Sequence, residues 1–343
     1  MSPNRVRTVM PEPILSFCIP TYNFGAFIGD TLESIVSQAT DEVEIVILDG
    51  GSTDDTAQVV DRYRARFPSL RYVRRPVKGG IDRDMALAVE HARGEYCWLF
   101  GADDLLREGA VARVLDAIRG GDDVVLVETT LCTRDMKPLW PQRNLKIREE
   151  RTFELGRADE RLRYFELAAN TQAFFSFCGA VVFRRDRWSS AATDAVEPFI
   201  GSCWAHAARL FSLLPDGLRV HHIPGALTLK RMENDSFSSQ GPASRVRIGI
   251  EGYLRIAEVF FGSSSAEAAH IRRCLRAEYT LVFMTGTMID VVERRLDADR
   301  KALVELFARI HDSRLLNTVY RSMPRVGWRA LGIVRRIVKW FSR

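Results

Sequence analysis

Short apolar runs and amphipathic stretches alternate regularly through the first third of this 343-residue chain. The short runs are rich in β-branched residues, as strands are, and the stretches between them repeat apolar residues at helical spacing. We predict strands over residues 14–19, 43–48, 70–74, 95–100 and 123–129, and helices over 26–38, 54–67, 81–92 and 105–118. Strands separated by helices of this length form βαβ units. The sequence therefore predicts an α/β fold with a Rossmann-like, mostly parallel sheet flanked by helices.

The rest of the chain is less regular, and its composition changes near residue 240. Residues 179–184, 218–223 and 226–229 are expected to be strands and 202–214 a helix, whereas 134–151 and 233–244 have the polar composition of loops. From residue 245 onward no strand pattern occurs, and three or four helices are expected, with breaks at 262–265 and near Pro324. We therefore predict an α/β domain over 1–240 and a helical C-terminal region over 241–343.

The composition excludes several other classes of protein. Hydrophobic residues make up 46% and charged residues 27%, which is not typical of disordered or collagen-like chains. The longest nearly uncharged apolar run, 173–183, is shorter than the roughly 20 residues that span a bilayer, and no secretion signal is expected at the N-terminus. The six cysteines are far apart and form no C-x-x-C pair, which favours a reduced, cytoplasmic chain over a disulfide framework or a zinc site.

Ligands of a parallel sheet bind at the carboxyl ends of its strands, and polar residues follow each predicted strand. They are Pro20, Thr21, Tyr22 and Asn23 after the first strand, Asp49 after the second, Asp82 and Arg83 after the turn beyond the third, and Asp103 and Asp104 after the fourth. No G-x-G-x-x-G follows the first strand, and the chain has no Walker sequence. Carboxylates without a phosphate-binding glycine loop indicate that a divalent cation, Mn²⁺ or Mg²⁺, handles the phosphates.

Four segments of the chain resemble, in order and spacing, the nucleotide-binding half of the inverting glycosyltransferase family 2, which has the GT-A fold. The segments are SFCIPTYN, EIVILDGGSTDDT, GGIDRDMA and ARGEYCWLFGADD. The resemblance is strong over about 14–120 and looser over about 121–240, which implies a nucleotide-binding half and an acceptor half. In form, the motifs are most similar to those of bacterial enzymes that build surface polysaccharides such as O-antigen, including abequosyltransferase-like ones.

The resemblance implies a role for each polar position of the nucleotide-binding half. Thr21 and Tyr22, within Pro20–Asn23, would line the base or ribose, and Asp49 would bind the base. Asp104 would be the main metal ligand, with Asp103 reaching the ribose or a metal-bound water. The structural alternatives are that Asp49 begins a turn and that Asp103 and Asp104 cap the following helix.

The helix after the third predicted strand departs from the family's pattern. Met85 and Ala86 stand where many relatives have an Arg-Asn pair, and Asp82, Arg83 and Asp84 precede them. We take Asp82 and Arg83 as the candidates for donor binding in this helix.

The place of the family's catalytic base also differs. Relatives carry a Glu-Asp pair at the start of the helix after residue 200, where this chain has Ser202 and Cys203. His206 lies one turn further on and is a candidate base, since an unperturbed imidazole has a pKa near about 6.5. Glu197 is the competing candidate, and a core histidine is the structural alternative for His206.

Lys230, Arg231 and Asn234 lie in the polar segment LKRMENDSF. We expect this segment to be a mobile loop that closes over the donor diphosphate, with Lys230 or Arg231 neutralising its charge. The structural alternative is ordinary loop polarity.

The last 31 residues are strongly basic. Residues 313–343 contain eight basic residues and no acidic ones, so a net charge of +5 for the chain leaves −3 for residues 1–312. Apolar residues recur here at helical spacing: Val326, Ala330, Ile333, Val334, Ile337 and Phe341. Basic residues take the other face, with Trp328 and Trp340 near the borders. A basic amphipathic helix with tryptophans predicts binding to an anionic membrane surface. Nucleic acid is not expected, because no reader motif accompanies the charge.

These features predict a metal-dependent, inverting glycosyltransferase attached peripherally to the inner face of the cytoplasmic membrane. It would move a sugar from a nucleotide-diphospho-sugar to a hydroxyl of a glycan or lipid-linked glycan. A sugar-nucleotide nucleotidyltransferase is one alternative, but it should have a Gly-rich basic loop where this chain has PTYNFG. A catalytically inactive, membrane-associated nucleotide-sugar binder is the other, because the Glu-Asp pair is missing.

Overall fold

A computed structural model describes residues 12–234 and 241–341 of the chain. Its strands join into one ten-stranded sheet with helices on both sides. The strands are β1 (Leu15–Thr21), β2 (Val43–Asp49), β3 (Leu70–Arg74), β4 (Tyr96–Leu99), β5 (Leu105–Leu106), β6 (Val124–Cys132), β7 (Pro138–Gln142), β8 (Arg151–Glu154), β9 (Val181–Arg184) and β10 (Arg219–Arg231). The predicted α/β class is confirmed.

The first half of the sheet has the order β3-β2-β1-β4, and every pair in it is parallel. All residues of β2, and all but Pro20 in β1, are buried, as expected of strands that are covered on both faces. Thr21 pairs with Asp49 at the last position of the two strands. The register therefore brings the polar residues after β1 and β2 together at one edge of the sheet.

The second half of the sheet mixes directions. Short antiparallel β9 separates β4 from β6, and β10 runs parallel to β6. Six of the ten strands in the described residues run in one direction, and the four that oppose them are short. β5 pairs with the end of β10, where Leu105 is opposite Leu229. This pairing places Asp103 and Asp104 next to Lys230 and Arg231.

Helices cover the sheet and make up the described part of the C-terminal region. They are α1 (Gly25–Val36), α2 (Thr56–Arg66), α3 (Ile81–Glu90), α4 (Ala110–Ile118), α5 (Ala158–Leu167), α6 (Arg185–Ser190), α7 (Thr193–Val196), α8 (Ala205–Phe211), α9 (Pro242–Phe261), α10 (Ala266–Glu278), α11 (Leu281–Glu293), α12 (Asp297–Ile310), α13 (Arg314–Ser322) and α14 (Arg325–Phe341). Among the helices described, none combines the length and the apolar character that crossing a bilayer requires.

The C-terminal helices share one hydrophobic core with the sheet. The indole Nε1 of Trp204 donates to the carbonyl of Ile248 in α9 (2.8 Å), and the hydroxyl of Tyr253 donates to the carbonyl of Thr171 (2.8 Å). Arg161 in α5 forms an ion pair with Glu267 in α10 (3.0 Å). These contacts bind α9 and α10 closely to the part of the chain before residue 240, and the division into two domains stays a prediction.

The described C-terminal region contains six helices, α9 to α14, where three or four were expected. In the α/β part, three elements differ from their predicted form. The helix predicted from residue 105 begins at Ala110, because Leu105 and Leu106 pair with β10. The two strand pieces predicted between 218 and 229 are one strand, β10, whose register shifts around Gly225, which has a φ of 92°. The segment 134–151, expected as a loop, contains β7. In each case the partner strand, and not the local sequence, decides the outcome.

Close packing of α9 on Trp204 gives a prediction for stability. A Cβ added at Gly252 would lie 2.0 Å from Trp204 Nε1, so Gly252→Ala should lower the free energy of unfolding by about 1–3 kcal/mol. Gly286→Ala in α11 is the matched control, because its nearest neighbour would be Arg335 at 3.6 Å. Alanine restricts the unfolded chain more than glycine does, so Gly286→Ala should raise the free energy of unfolding by up to about 1 kcal/mol. Urea unfolding of both variants checks this, and equal effects would contradict the close approach of α9 to Trp204.

Candidate active site

The carboxyl edge of the sheet, where β1, β2 and β4 end, is the candidate ligand cleft, and Asp49 lies at this edge opposite Thr21. Asp49 is fully buried, and its Oδ1 accepts hydrogen bonds from the backbone N–H (2.8 Å) and the hydroxyl (2.7 Å) of Ser52. Its Oδ2 accepts from the hydroxyl of Tyr72, with Arg74 3.9 Å away. Burial and the neighbouring carboxylate raise the pKa of Tyr72. The hydrogen bonds from Ser52 to Asp49 hold the loop after β2 in place. Contact between Asp49 and a nucleotide base stays a prediction.

The residues after β1 are held against the same loop. Asn23 has a positive φ of 59°; its N–H donates to Ser52 Oγ (2.8 Å), and its side-chain oxygen accepts from the N–H of Thr53 (2.8 Å). The hydroxyl of Thr21 is buried and has no hydrogen-bond partner among the described residues. Lys78 lies over the ring of Tyr22, 4.3 Å from its centre. Base or ribose binding by Thr21 and Tyr22 stays a prediction, and Pro20 remains within β1.

The two aspartates at the start of α3 have different surroundings, and donor binding by Asp82 and Arg83 stays a prediction. Asp82, predicted to bind the donor, accepts instead from the N–H groups of Gly201 (2.8 Å), Cys203 (2.9 Å) and Ala205 (3.1 Å) and so caps α8. The predicted Arg83 is exposed, and no contact of its side chain is found among the described residues.

Asp84, which was not among the predicted site residues, lies at the cleft. It is buried and forms an ion pair with Arg75 (2.8 Å), and a Cβ at Gly50 would lie 3.4 Å from its Oδ2. Residues two apart on a helix point in different directions, so only one of the two aspartates can face the cleft. Helical phase within GGIDRDMA was the signal that could have found Asp84.

Asp103 and Asp104 follow β4 on the other side of the cleft. Asp104 is buried; its Oδ1 accepts from the N–H of Arg231 (2.9 Å), and its carbonyl accepts from the hydroxyl of Thr31 (2.9 Å). Asp103 Oδ2 accepts from the side-chain amide of Asn234 (2.9 Å). Burial, with Asp103 adjacent, raises the pKa of Asp104 to about 7, and burial also raises the pKa of Asp103. Two adjacent carboxylates with raised pKa values are stabilised in their charged forms by a cation.

The pair suits a hard divalent cation. Asp104 Oδ2 forms no hydrogen bond with a described residue, and it lies against Gly101, where a Cβ would be 2.6 Å away. Any side chain at position 101 would therefore clash with the Asp104 carboxylate. In the described part of the chain, no group of three or more Asp, Glu, His or Cys side chains could hold a metal ion. The two aspartates could therefore supply only part of a coordination shell, and phosphate or water oxygens would have to complete it.

The structure separates the roles of Lys230 and Arg231. The Arg231 guanidinium is committed to the protein: it donates to the carbonyls of Asp103 (2.9 Å) and Arg134, lies 3.4 Å from Asp30 and stacks over Phe27. It therefore positions Asp103. Asn234 does the same through its amide.

Lys230, the neighbouring residue on β10, lies on the opposite face of the strand. Its ammonium lies 4.3 Å from the ring centre of Phe177 and interacts electrostatically with Asp104. Burial lowers the pKa of Lys230, and the Asp104 carboxylate opposes this effect. Of the two cations, Lys230 is the one that remains available to a ligand.

A cavity of about 210 Å³ opens beside Lys230, between the sheet edge and the helices α8, α9 and α10. Its described lining includes aromatic, amide and charged side chains: Gln142, Gln172, Phe177, Trp204, Lys230, Arg245, Tyr253, Glu278 and Tyr279. Cys203, which stands where the resemblance implies a catalytic base, also lines it.

Neither predicted base is among the described residues that line this cavity. His206 is 6% exposed, its Nε2 bonds the carbonyl of Phe175 (3.0 Å), and burial lowers its pKa. Glu197 is exposed in a turn before α8. The structure thus places His206 in the core, which is the structural alternative to a catalytic role. Catalysis by either residue stays a prediction.

The chain matches known proteins along most of its length. Residues 16–186 match the model of "Glycosyl transferase family 2". The chain is 28% identical over 315 residues to the abequosyltransferase RfbV of Salmonella typhimurium, covering 90% of this chain and 93% of that protein. It is 34% identical over 123 residues to chondroitin synthase of Escherichia coli, which covers 36% of this chain and 18% of the synthase.

Two solved structures have a similar fold. S. aureus TarS 1–349 in complex with UDP-GlcNAc superposes with a TM-score of 0.59 at 17% identity, covering 94% of this chain and 91% of that chain. The mannosyltransferase PcManGT from Pyrobaculum calidifontis, in complex with GDP-Man and Mn²⁺, gives a TM-score of 0.52 at 18% identity, with coverages of 95% and 81%. At these identities the likeness concerns the fold, and it agrees with the GT-A fold expected from the motifs.

The different surroundings of Arg231 and Lys230 predict different effects on stability. Arg231→Met leaves the carbonyls of Asp103 and Arg134 without their donor and should cost about 3 kcal/mol of unfolding free energy. Lys230→Met removes a cation whose burial is unfavourable and should cost less than about 1 kcal/mol. Denaturant unfolding gives the free energy of unfolding of both variants, whose substituted residues are neighbours on β10. A larger loss for Lys230→Met would mean that Lys230, and not Arg231, supports the fold at this edge.

Proposed function

This chain is a glycosyltransferase with a family 2 domain over residues 16–186, and we propose that it transfers a sugar from a nucleotide-diphospho-sugar to a hydroxyl of a glycan. The observation that carries the proposal is the Asp103-Asp104 pair at the carboxyl end of β4, in which Asp104 is buried and Asp103 half-buried, with Lys230 beside it. The relatives named for abequosyl transfer and for chondroitin synthesis support a role in polysaccharide synthesis. The acceptor we propose is a glycan of a surface polysaccharide such as O-antigen, carried on a lipid.

The donor would lie along the carboxyl edge of the sheet. Thr21 and Tyr22 would contact the base or ribose above Asp49, and Asp84 with its partner Arg75 would close the side of the cleft. Asp103 would reach the ribose or a metal-bound water. The positions of these residues at the ends of β1, β2 and β4 and at the start of α3 support this order.

A Mn²⁺ or Mg²⁺ ion fits the same edge, held by Asp104 and Asp103. When bound, the ion supplies positive charge to the diphosphate, on which negative charge develops as the sugar leaves. The part of this chain is to hold the carboxylates still. The N–H of Arg231 binds the Asp104 carboxylate, and the amide of Asn234 binds that of Asp103. The Arg231 guanidinium and the Thr31 hydroxyl bind the backbone carbonyls of Asp103 and Asp104.

Lys230 would stabilise the leaving diphosphate directly. Its ammonium lies near Asp104, has lost much of its hydration and makes no hydrogen bond with a described residue. A desolvated cation interacts more strongly with developing negative charge than a hydrated one. The acceptor would approach through the cavity beside Lys230, opposite the diphosphate, which is the geometry of a single displacement with inversion at the anomeric carbon.

Asp104→Asn tests the donor site. We expect the transfer rate to fall at least about 10²-fold, because the variant loses the charge that holds the cation and the diphosphate. UDP, GDP, CDP and dTDP, each with Mn²⁺, should be screened by thermal shift: one of them should raise the melting temperature of the wild type and not of the variant. Asp122→Asn, a buried aspartate at the amino edge of the sheet, is the control. Full activity of Asp104→Asn in EDTA would contradict the assignment.

We also propose that α13 and α14 attach the protein to the cytoplasmic face of an anionic membrane. Large apolar side chains stay exposed on these two helices, namely Leu315, Leu316, Val319, Val326, Leu331, Ile333 and Val334. Val282 and Phe283 at the start of α11 are exposed as well. Apolar side chains on basic helices suit the interface of a bilayer.

Part of the predicted helical face is used within the protein. Trp328, expected at the membrane border, is 2% exposed and packs against Tyr320. Arg335 pairs with Asp290 (3.0 Å), and Arg325 pairs with Asp297. The helix therefore packs on α11 along one side and leaves only its remaining surface for lipid. The side chains of residues 336–343 lie outside the described part.

Vesicle binding tests this attachment. We expect Leu315→Glu with Val326→Glu to release the protein from vesicles that contain anionic lipid, because both exposed side chains would lose their apolar contact. Arg314→Glu with Arg321→Glu should weaken binding mainly at low salt, since salt screens charges over about 8–10 Å. Sedimentation with vesicles checks both, with Glu108→Gln on the α/β part as control. Equal pelleting of all variants would contradict attachment through these helices.

A further inference from the structure

Glu278 is the only carboxylate among the described residues that line the cavity beside Lys230. It is the last residue of α10. We propose that this cavity holds the acceptor sugar and that Glu278 is the base that takes the proton of the attacking hydroxyl. The proposal rests on the proposed function, because it requires a donor diphosphate on the other side of Lys230. It places a catalytic group in the C-terminal helices, outside the segment that matches the family model.

The carboxylate is oriented by one of its oxygens. Glu278 Oε1 accepts from both the N–H (2.7 Å) and the hydroxyl (2.6 Å) of Thr171. Thr171 is itself fixed, because its carbonyl accepts from the hydroxyl of Tyr253 (2.8 Å). Glu278 Oε2 has no hydrogen bond with a described residue. One oxygen is therefore anchored and the other is available to a ligand, as a positioned base requires.

The charges around Glu278 suit proton transfer. Burial raises the pKa of Glu278, while the two hydrogen bonds from Thr171 and then the charges of Lys230 and Arg245 lower it. The ammonium of Lys230 interacts with both Asp104 and Glu278. Lys230 thus stands between the proposed diphosphate side and the proposed acceptor side, and the two reacting groups would meet next to it.

The other walls of the cavity suit a sugar ring. Phe177, Trp204 and Tyr253 offer aromatic surface, and the amide of Gln172 donates to Gln142 (2.8 Å) while its own oxygen is buried without a partner among the described residues. Aromatic rings and amides together are the side chains that contact the apolar faces and the hydroxyls of a pyranose. At about 210 Å³ the cavity is smaller than the roughly 300–1,000 Å³ of pockets for drug-sized ligands, so a single ring is the fitting occupant.

The reaction step balances with these groups alone. The acceptor hydroxyl gives its proton to Glu278 Oε2 while its oxygen forms a bond to the anomeric carbon of the donor. The bond from that carbon to the diphosphate oxygen breaks, and its electron pair leaves with the nucleoside diphosphate beside Lys230. Glu278 later releases the proton to water.

Glu278→Gln is the decisive variant, because glutamine keeps an oxygen for Thr171 but cannot accept the proton. Turnover would be followed as nucleoside diphosphate released from UDP-glucose, UDP-N-acetylglucosamine, GDP-mannose, CDP-abequose or dTDP-rhamnose. Octyl glycosides of glucose, galactose, mannose and rhamnose serve as acceptor probes. We expect kcat for the best pair of probes to fall by about 10²- to 10⁴-fold. The thermal shift by the nucleoside diphosphate with Mn²⁺ should not change.

Glu267→Gln is the matched control, since it replaces another semi-buried glutamate of α10, the partner of Arg161. It should keep kcat within about threefold. Glu278→Asp, which retains a shortened carboxylate, should recover part of the rate that Glu278→Gln loses. The unchanged thermal shift with nucleoside diphosphate and Mn²⁺ shows that the glutamine variant is folded.

Three results would overturn the proposal. They are a near-normal kcat in Glu278→Gln, a rise in acceptor KM with kcat unchanged, and an equal loss in Glu278→Asp and Glu278→Gln. A wild-type protein that releases no nucleoside diphosphate and shows no thermal shift with any probe would instead overturn the donor assignment of the proposed function. The two failures are therefore distinct.

Discussion

The contact between Arg231 and the Asp103-Asp104 pair is the constraint on which the proposed site depends. These residues are more than 120 positions apart in the chain. The backbone N–H of Arg231 binds the carboxylate of Asp104, and its guanidinium binds the carbonyl of Asp103. The antiparallel pairing of β5 with β10 makes this contact possible. Without it, two adjacent acidic side chains would repel each other at the end of β4, and of the described residues only Asn234 and Thr31 would hold them.

The same contact explains why Lys230 and Arg231 have unlike surroundings. Successive side chains of a strand point to opposite faces of the sheet. Arg231 contacts the aspartates on one face, so the side chain of Lys230 lies on the other. Arg231 is held by three groups of the protein, whereas Lys230 contacts an aromatic ring and faces the cavity. A planar guanidinium with several donors suits the first position, and a compact ammonium suits the second.

The fold and the position of the site follow from the sequence to a large extent. Buried strands that each end in a polar residue predicted the sheet edge, and Asp49, Asp103 and Asp104 lie there. The sequence led to Asp82 and not to Asp84, because it does not show that the N-terminus of α8 packs against Asp82. It also led to His206, which the structure buries. The sequence around Glu278 does not indicate a proposed catalytic role, because the residue that orients its carboxylate, Thr171, is more than 100 residues away.

The glycines of α9 have a consequence for specificity. Gly249 and Gly252 let this helix approach Tyr279 and Trp204 so closely that the cavity's rear wall is built from α9 and α10. The proposed donor site, in contrast, takes its residues from the ends of β1, β2 and β4. Under the proposed function, α9 and α10 add Tyr253 and Glu278 to the acceptor side and nothing to the donor side. Substitutions confined to these two helices would then alter the glycan that is extended and leave the residues that hold the activated sugar unchanged.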